Sequence, residues 1–521
     1  MQFSPTAQPI GTKTELFELA QLCTGVIRPH FIVLDGIDEC SGNESLIRNL
    51  LRLGPKSRTI LFNRPNVRIL QDKMPPDQRI AIGKSNSRDI RKFLQRRLEE
   101  LANRDMLLDH ASIHDYTDHL ARGADGMFLW ARLMTDYLDL DALSDLDRHE
   151  TIMAVTMPEK LSVMYLRIIK LICQGYAASR RMARWIILWI AFAKRPLTVS
   201  ELEESVRLLK TSTQAKSGRI DFERAVVMTC AGLVEKATLC VGSREHVPCF
   251  RFIHSTVEEY FRDLFSDDGM LKIPQEAIKD VKLIATPTPH MEISRSCLQY
   301  ILYCMPAQSL SEALGWQMGT EVTIPDLEAG FPLSGYATVF WISHLQETSK
   351  EISSAGGGRC EFSESIVALL DMITKFLRQN KVVRGWIEAI YVFRVNPDEI
   401  MQALESWNNR LRNDSGKILS DRHDIDVVTI SQNVEELIRY ILELDKYWGS
   451  SLTLCPGRIW AWDEIDGFIP SQFSDRSSTT VHSLYAGNPS QAGETLSSQY
   501  LCKVSESTPD FIGTLSIWTS R

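Results

Sequence analysis

The chain has 521 residues, 44% of them hydrophobic and 24% charged, the balance of a soluble globular protein with room for about three domains rather than of a disordered tail. Its formal net charge of −8, from 58 Lys and Arg against 66 Asp and Glu, argues against a bulk nucleic-acid footprint, which needs a basic surface to displace counterions from phosphates. The most apolar stretch, Trp185–Ala193, falls far short of the ~20 residues of a membrane helix and reads as a buried one.

In chain order, residues 14–27 carry a helical pattern, and Phe31-Ile32-Val33-Leu34 is an apolar run ended by Asp35-Gly36. An unalternating run of this kind predicts a strand buried on both faces of a parallel sheet. A helix at about 43–53 follows, then a second run, Thr59–Phe62, and a weaker third, Arg79–Ile82. Strands alternating with helices predict an α/β sheet. From Asn86 the pattern turns helical: Ile90, Leu94, Leu98 and Leu101 form a stripe at helical spacing behind a cap at Asn86 or Ser87. Further helices are predicted at about 112–121, 126–139 and 159–175.

Residues 183–265 change rhythm. Helices near 183–193 and 200–210 flank Arg195-Pro196, with Ser200-x-x-Glu203 as a predicted capping box. A helix near 222–230, strands Leu233–Cys240 and Pro248–Ile253 around Gly242-Ser243, and a helix from His254 or Ser255 complete a winged-helix pattern. Residues 287–445 read as helical with a break at 353–358, and 446–521 as Ser, Thr and Trp-rich with short β-like runs. Eleven cysteines without CxxC pairs fit reduced thiols. Met1–Pro9 shows neither a basic n-region nor an apolar h-region, so no secretory signal is expected. A cytoplasmic location follows.

The segment that carries chemistry is Phe31–Cys40. A strand ending in Asp35 sets a carboxylate at the carboxyl edge of the sheet, where α/β proteins bind ligands, and Mg²⁺ on a nucleotide needs few protein carboxylates. Asp38 or Glu39, one turn on, is placed to orient or deprotonate a water.

Strand-Asp-Gly-x-Asp-Glu resembles the Walker B segment of NACHT domains, signal-transducing P-loop NTPases of the STAND class with many members in filamentous fungi. The strand Arg58–Phe62 with Asn63-Arg64-Pro65 resembles their sensor strand, with Asn63 in place of the usual hydroxyl residue. The resemblance implies that Arg64 senses the γ-phosphate, through a guanidinium fork suited to phosphate oxygens. Gly123-x-x-Gly126-Met127-Phe128-Leu129-Trp130-Ala131, Met157-Pro158 through Leu161 and Tyr165, Trp189 through Pro196-Leu197-Thr198 and Glu201-Leu202, Phe252–Tyr260, and Tyr336 through Trp341 and His344 resemble later landmarks in family order. By the same resemblance His254 touches the β-phosphate of bound ADP, where a helix start also favours anions.

A phosphate loop, Gly-x-x-x-x-Gly-Lys-Ser/Thr, precedes the Walker B strand in that family. Only Met1–His30 stand upstream here, and neither Gly11-Thr12-Lys13-Thr14 nor Gly83-Lys84-Ser85, which lacks the earlier Gly, supplies it. An N-terminally truncated chain with an exposed sheet edge is therefore expected. The expected fold is an α/β remnant of a P-loop NTPase core (1–83), a helical domain (84–150), a linker helix and winged helix (151–265), a helical region (266–445) and a small, partly β segment (446–521). The expected function is a nucleotide-controlled switch in signalling and self-assembly, with Mg²⁺ and ATP or ADP as family-implied cofactors bound weakly or not at all. The alternative is a nucleotide-independent helical scaffold for protein partners. Neither nucleic acid nor membrane is expected as a partner; Glu258, Glu259 and Asp263 on the last winged-helix helix would repel phosphates.

Overall fold

The computed structural model describes residues 13–26, 30–37, 43–53, 57–63, 68–80, 86–108, 112–209, 221–241, 244–265, 273–286, 288–354, 360–418 and 426–460. The fold is mostly helical, with two small sheets among the described residues. An N-terminal α/β unit comprises α1 (Lys13–Val26), β1 (His30–Leu34), α2 (Asn43–Leu50), β2 (Ser57–Leu61) and α3 (Arg68–Lys73). β1 and β2 pair in parallel with Leu34 opposite Leu61. Ile37, Ile47, Ile69 and Leu70 form its small core.

The expectation that these strands are buried on both faces is corrected. Phe31 is 64% and Val33 57% exposed, with Ile60 and Phe62 also outward. Among the described residues only one layer, α2 and α3, packs on the sheet. Side chains alternate across a strand, so one face is left to solvent. Arg79 and Ile80 of the third run are irregular, and Ile80 is exposed. Ala81 and Ile82 lie outside the described residues, as do Gly83–Ser85.

A second body starts at α4 (Ser87–Ala102), continues through α5 (Ile113–Ala124), α6 (Phe128–Leu138), α7 (Asp145–Met153) and α8 (Leu161–Gln174), and reaches α9 (Ala177–Phe192). The α4 stripe is buried as predicted, Ile90, Leu94 and Leu98 completely. α7 was not foreseen: its capping box pairs Ser144 with Asp147, one methylene shorter than the usual Glu or Gln. α10 (Val199–Arg207), α11 (Phe222–Thr229), the antiparallel pair β3 (Val234–Val241) and β4 (Arg244–Phe252), and α12 (Ser255–Leu264) follow. The turn residues Gly242 and Ser243 lie outside the described residues. The capping box of α10 is Thr198 with Glu201, not Ser200 with Glu203; Glu203 instead pairs with Arg207 on the exposed face.

Beyond lie α13 (Ile278–Ile284), α14 (Pro289–Tyr303), α15 (Leu310–Ala313), α16 (Ile324–Gly330), α17 (Ser334–Ser354), α18 (Cys360–Leu377), α19 (Asn380–Val392), α20 (Pro397–Ile418) and α21 (Val427–Leu454). One contiguous core runs from Ile90 to Trp460. The boundaries expected at 150 and 445 fall inside α7 and α21, because helices sharing one core need no linker between them. Of the segment 446–521, expected to be partly β, residues 446–460 are instead the end of α21 and a 3-10 turn, and 461–521 lie outside the described residues. No helix of the described residues is long and apolar enough to cross a membrane, and the cysteines among them are free thiols.

The 3-10 turn Pro456–Trp460 ends the described chain. Trp460 Nε1–H donates to Glu388 Oε2 at 2.7 Å, and the Leu310 N–H donates to the same oxygen at 3.0 Å. Burial pushes the Glu388 carboxyl up from 4.5 to about 7. The folded chain thus holds a proton that the unfolded chain releases, so this stability is present at low pH and lost as pH rises through about 7. Glu388→Gln keeps an acceptor oxygen and is expected to remove on the order of 3 kcal/mol of that pH dependence. Comparing urea midpoints of the two proteins below and above this window checks it: the variant should gain on the native chain as pH rises.

Candidate functional site

α9 ends where Ala193 turns extended, and Lys194-Arg195-Pro196-Leu197 carries the chain to the Thr198 cap of α10. Glu201 organises this turn. Its carboxylate accepts the Arg195 guanidinium at 2.8 and 2.6 Å and the Thr198 N–H at 2.8 Å, while Thr198 Oγ1 accepts the Glu201 N–H at 3.1 Å. Burial disfavours the Arg195 charge, and the adjoining Glu201 carboxylate more than offsets it, leaving the pKa raised. The guanidinium also lies over the Tyr336 and Phe340 rings, 5.3 and 5.8 Å from their centroids.

β4 leads into α12 through His254, whose extended backbone makes it the N-cap. Its Nδ1 accepts the Thr256 N–H at 3.1 Å and lies 2.9 Å from Thr256 Oγ1, which is 2.6 Å from the Tyr165 hydroxyl. An Nδ1 that accepts leaves the ring proton of a neutral imidazole on Nε2. Val257, Phe261 and Leu264 bury the opposite face of α12, with Phe261 stacked on Phe252 at 5.6 Å. The helix start is therefore held rigidly.

On the α/β unit, the Phe62 N–H donates to the Leu34 carbonyl at 2.8 Å and the Ile37 N–H to the Phe62 carbonyl at 3.3 Å, which fixes the chain on both sides of Asp35. Asp35 Oδ1 accepts the Gly36 N–H at 2.9 Å. Gly36 has φ +72°, a backbone conformation that a side chain would strain.

Residues of both bodies line an open cavity of about 890 Å³. One wall is Asp35, Gly36, Phe62 and Asn63; the other includes Lys194, Arg195, Arg251, His254 and Arg262. Asp35 and His254 both line this cavity. Asp38, Glu39 and Arg64 lie outside the described residues. Sequence reasoning missed the basic wall; Arg195-Pro196 was visible as a helix break, but the pairing of Arg195 with Glu201 was not. The basic side chains are partly occupied: Lys194 pairs with Glu347 at 3.4 Å, Arg251 with Glu235 at 2.9 Å and Arg262 with Glu258 at 2.8 Å. Among the described residues no group of three His, Cys, Asp or Glu side chains is placed to hold a metal. Comparison with family models, with curated proteins and with solved structures finds no match for this chain.

Proposed function

We propose that the chain is a NACHT-type switch module acting in the cytoplasm, with α9 to α12 as its winged helix and the β1–β2 unit as the remnant of a P-loop NTPase core. In this reading the cavity seats the phosphate end of ADP or ATP. The observation that carries it is the convergence on one cavity of Asp35 and His254, singled out separately in the sequence. His254 offers Nε2–H, and Lys194 and Arg262 add positive charge. Mg²⁺ would supply charge neutralisation between phosphates, and Asp35 alone fits the one carboxylate such an ion needs when phosphate oxygens and water complete its shell. Exchange of ADP for ATP would shift the two bodies apart and free the chain for self-assembly.

Without a phosphate loop in the sequence, ADP is expected to bind with a dissociation constant of about 1 mM or weaker. Titration calorimetry with MgADP, beside size-exclusion measurement of oligomeric state, tests this. His254→Ala is expected to abolish what binding there is and to change the oligomeric state. Micromolar affinity lost in Asp35→Ala would overturn the expectation of weak binding. An unchanged oligomeric state and unchanged partner capture in His254→Ala would favour the second reading, a nucleotide-independent helical scaffold, which draws its support from the unbroken core from Ile90 to Trp460.

A further inference from the structure

Two apolar surfaces of the α/β unit face solvent. The first is the bare side of the β1–β2 sheet. In the parallel register, Phe31 and Val33 fall on the same side as Ile60 and Phe62, and all four are exposed. On the opposite side Leu34 and Leu61 meet the core of Ile47, Ile69 and Leu70. The second surface is α1. Leu16, Leu19, Cys23 and Val26 recur at i, i+3, i+7 and i+10, the spacing that lines up one helix face, and all four are exposed. None of the described side chains of α1 is buried. Helices in proteins draw most of their stability from packing an apolar face, yet within one chain the α1 stripe and the bare sheet side do not cover each other.

We propose that they cover each other between two copies of this chain: α1 of each copy lies across the bare β1–β2 face of the other, in a reciprocal two-fold dimer. Exchange of one element between identical chains needs no new surface, only the partner's copy of the same one. The lengths agree, since a 14-residue helix spans about 21 Å and a five-residue strand about 17 Å. A sheet with helices on one side gains the second layer that such sheets require. The stripe and the sheet face together offer on the order of 800 Å² per copy, which is what one partner contributes to an interface of standard size.

Charge decides which surfaces meet. Arg58 shares the bare face, its guanidinium 5.9 Å from the centroid of the Phe31 ring. α1 carries Glu15 and Glu18 against Lys13 as its one cation. Face against face would bring two Arg58 side chains into one small patch. Helix against face brings carboxylates to the guanidinium instead, and this complementarity selects the exchanged pairing.

Sedimentation equilibrium of the full chain without nucleotide is expected to give a dimer at about 50 μM. Leu19 and Val33 are 56% and 57% exposed, so Leu19→Lys and Val33→Glu remove no buried contact. Each is expected to raise the dimer dissociation constant at least about tenfold. An equimolar mixture of the two variants is expected to associate again, because the Val33→Glu chain brings an intact α1 to the intact face of the Leu19→Lys chain. A face-to-face dimer would survive Leu19→Lys and a helix-to-helix dimer would survive Val33→Glu; either result overturns the exchange.

The native chain gives a reading independent of any variant's folding. Cys23 is an exposed free thiol on the stripe, and its maleimide labelling, read at that residue, is expected to be at least about fivefold slower at 50 μM than at 1 μM. A monomer with Cys23 slow at every dilution would mean that α1 folds onto its own sheet. A monomer at about 100 μM with Cys23 fast would leave the two surfaces to a different partner. Each of these outcomes overturns the dimer. Neither measurement uses nucleotide, so absence of ADP binding would sink the switch and leave the dimer standing.

Discussion

Glu201→Ala is expected to destabilise the fold by about 3–5 kcal/mol, the cost of leaving a buried charge without its partner. The Glu201 and Arg195 side chains are 3% and 19% exposed, so water cannot replace the carboxylate that Arg195 loses. The same substitution removes the acceptor for the Thr198 N–H and with it half of the capping box. Glu201→Gln retains an oxygen for that N–H and is expected to lose less. Replacing Arg195 and Glu201 together with apolar residues of similar size should recover much of the loss, since the penalty lies in the orphaned charge and not in the missing attraction. Urea denaturation followed by circular dichroism on the four proteins decides the order. A Glu201→Ala loss below about 1 kcal/mol would place the pair among solvent-screened surface bridges.

Trp130→Ala is expected to cost about 3–5 kcal/mol, the range for truncating a large aromatic in a packed core. Trp130 is fully buried and donates Nε1–H to Glu159 Oε2 at 3.2 Å. Glu159, itself buried, is held by Arg167 at 3.0 and 2.9 Å and gives its backbone N–H to the Gly123 carbonyl at 3.1 Å. Gly123 is small for a reason: a Cβ there would stand 2.5 Å from Val155 Cγ1 and 3.2 Å from the Trp130 ring. The Trp130 site thus ties α5, α6 and the start of α8 together. Trp130→Phe should cost less, losing the hydrogen bond and part of the area but keeping an aromatic ring. Denaturation midpoints of the two variants, with the slope checked for constancy, test the ranking.

These two sites also show what the sequence made legible. Gly123, Trp130 and Tyr165 stood out as a spaced set, and the structure supplies contacts among Gly123, Trp130 and Glu159 that such spacing alone does not reveal. Local signals read well where one face decides the outcome: the α4 stripe, the α12 start at His254 and the β3–β4 pair all appear within a few residues of their predicted places. The α10 cap was misread because Thr198-x-x-Glu201 and Ser200-x-x-Glu203 both fit the pattern, and only the position of Arg195 in space selects the first. The outward face of β1 and β2 was misread because burial depends on what covers a strand, which no run of four residues encodes. Asp35 and His254 were each visible as chemistry at an element's end. The basic wall was not, since its members come from the α9 turn, β4 and α12, and no spacing rule joins segments brought together only by packing.

The two walls of the cavity differ in what it takes to move them. His254, Lys194 and Arg195 belong to a body whose core is continuous from Ile90 to Trp460, and displacing them means disturbing that whole assembly. Asp35 belongs to a unit whose core, among the described residues, is Ile37, Ile47, Ile69 and Leu70 with Leu34, Leu46, Leu61 and Met74 packed against it. Opening free energy follows the apolar contacts that must be broken, so the Asp35 wall can detach or unravel at a small fraction of the cost of global unfolding. The cavity is in this sense a jaw with one fixed and one compliant side, and anything that grips both sides gains most of its leverage from ordering the weaker one.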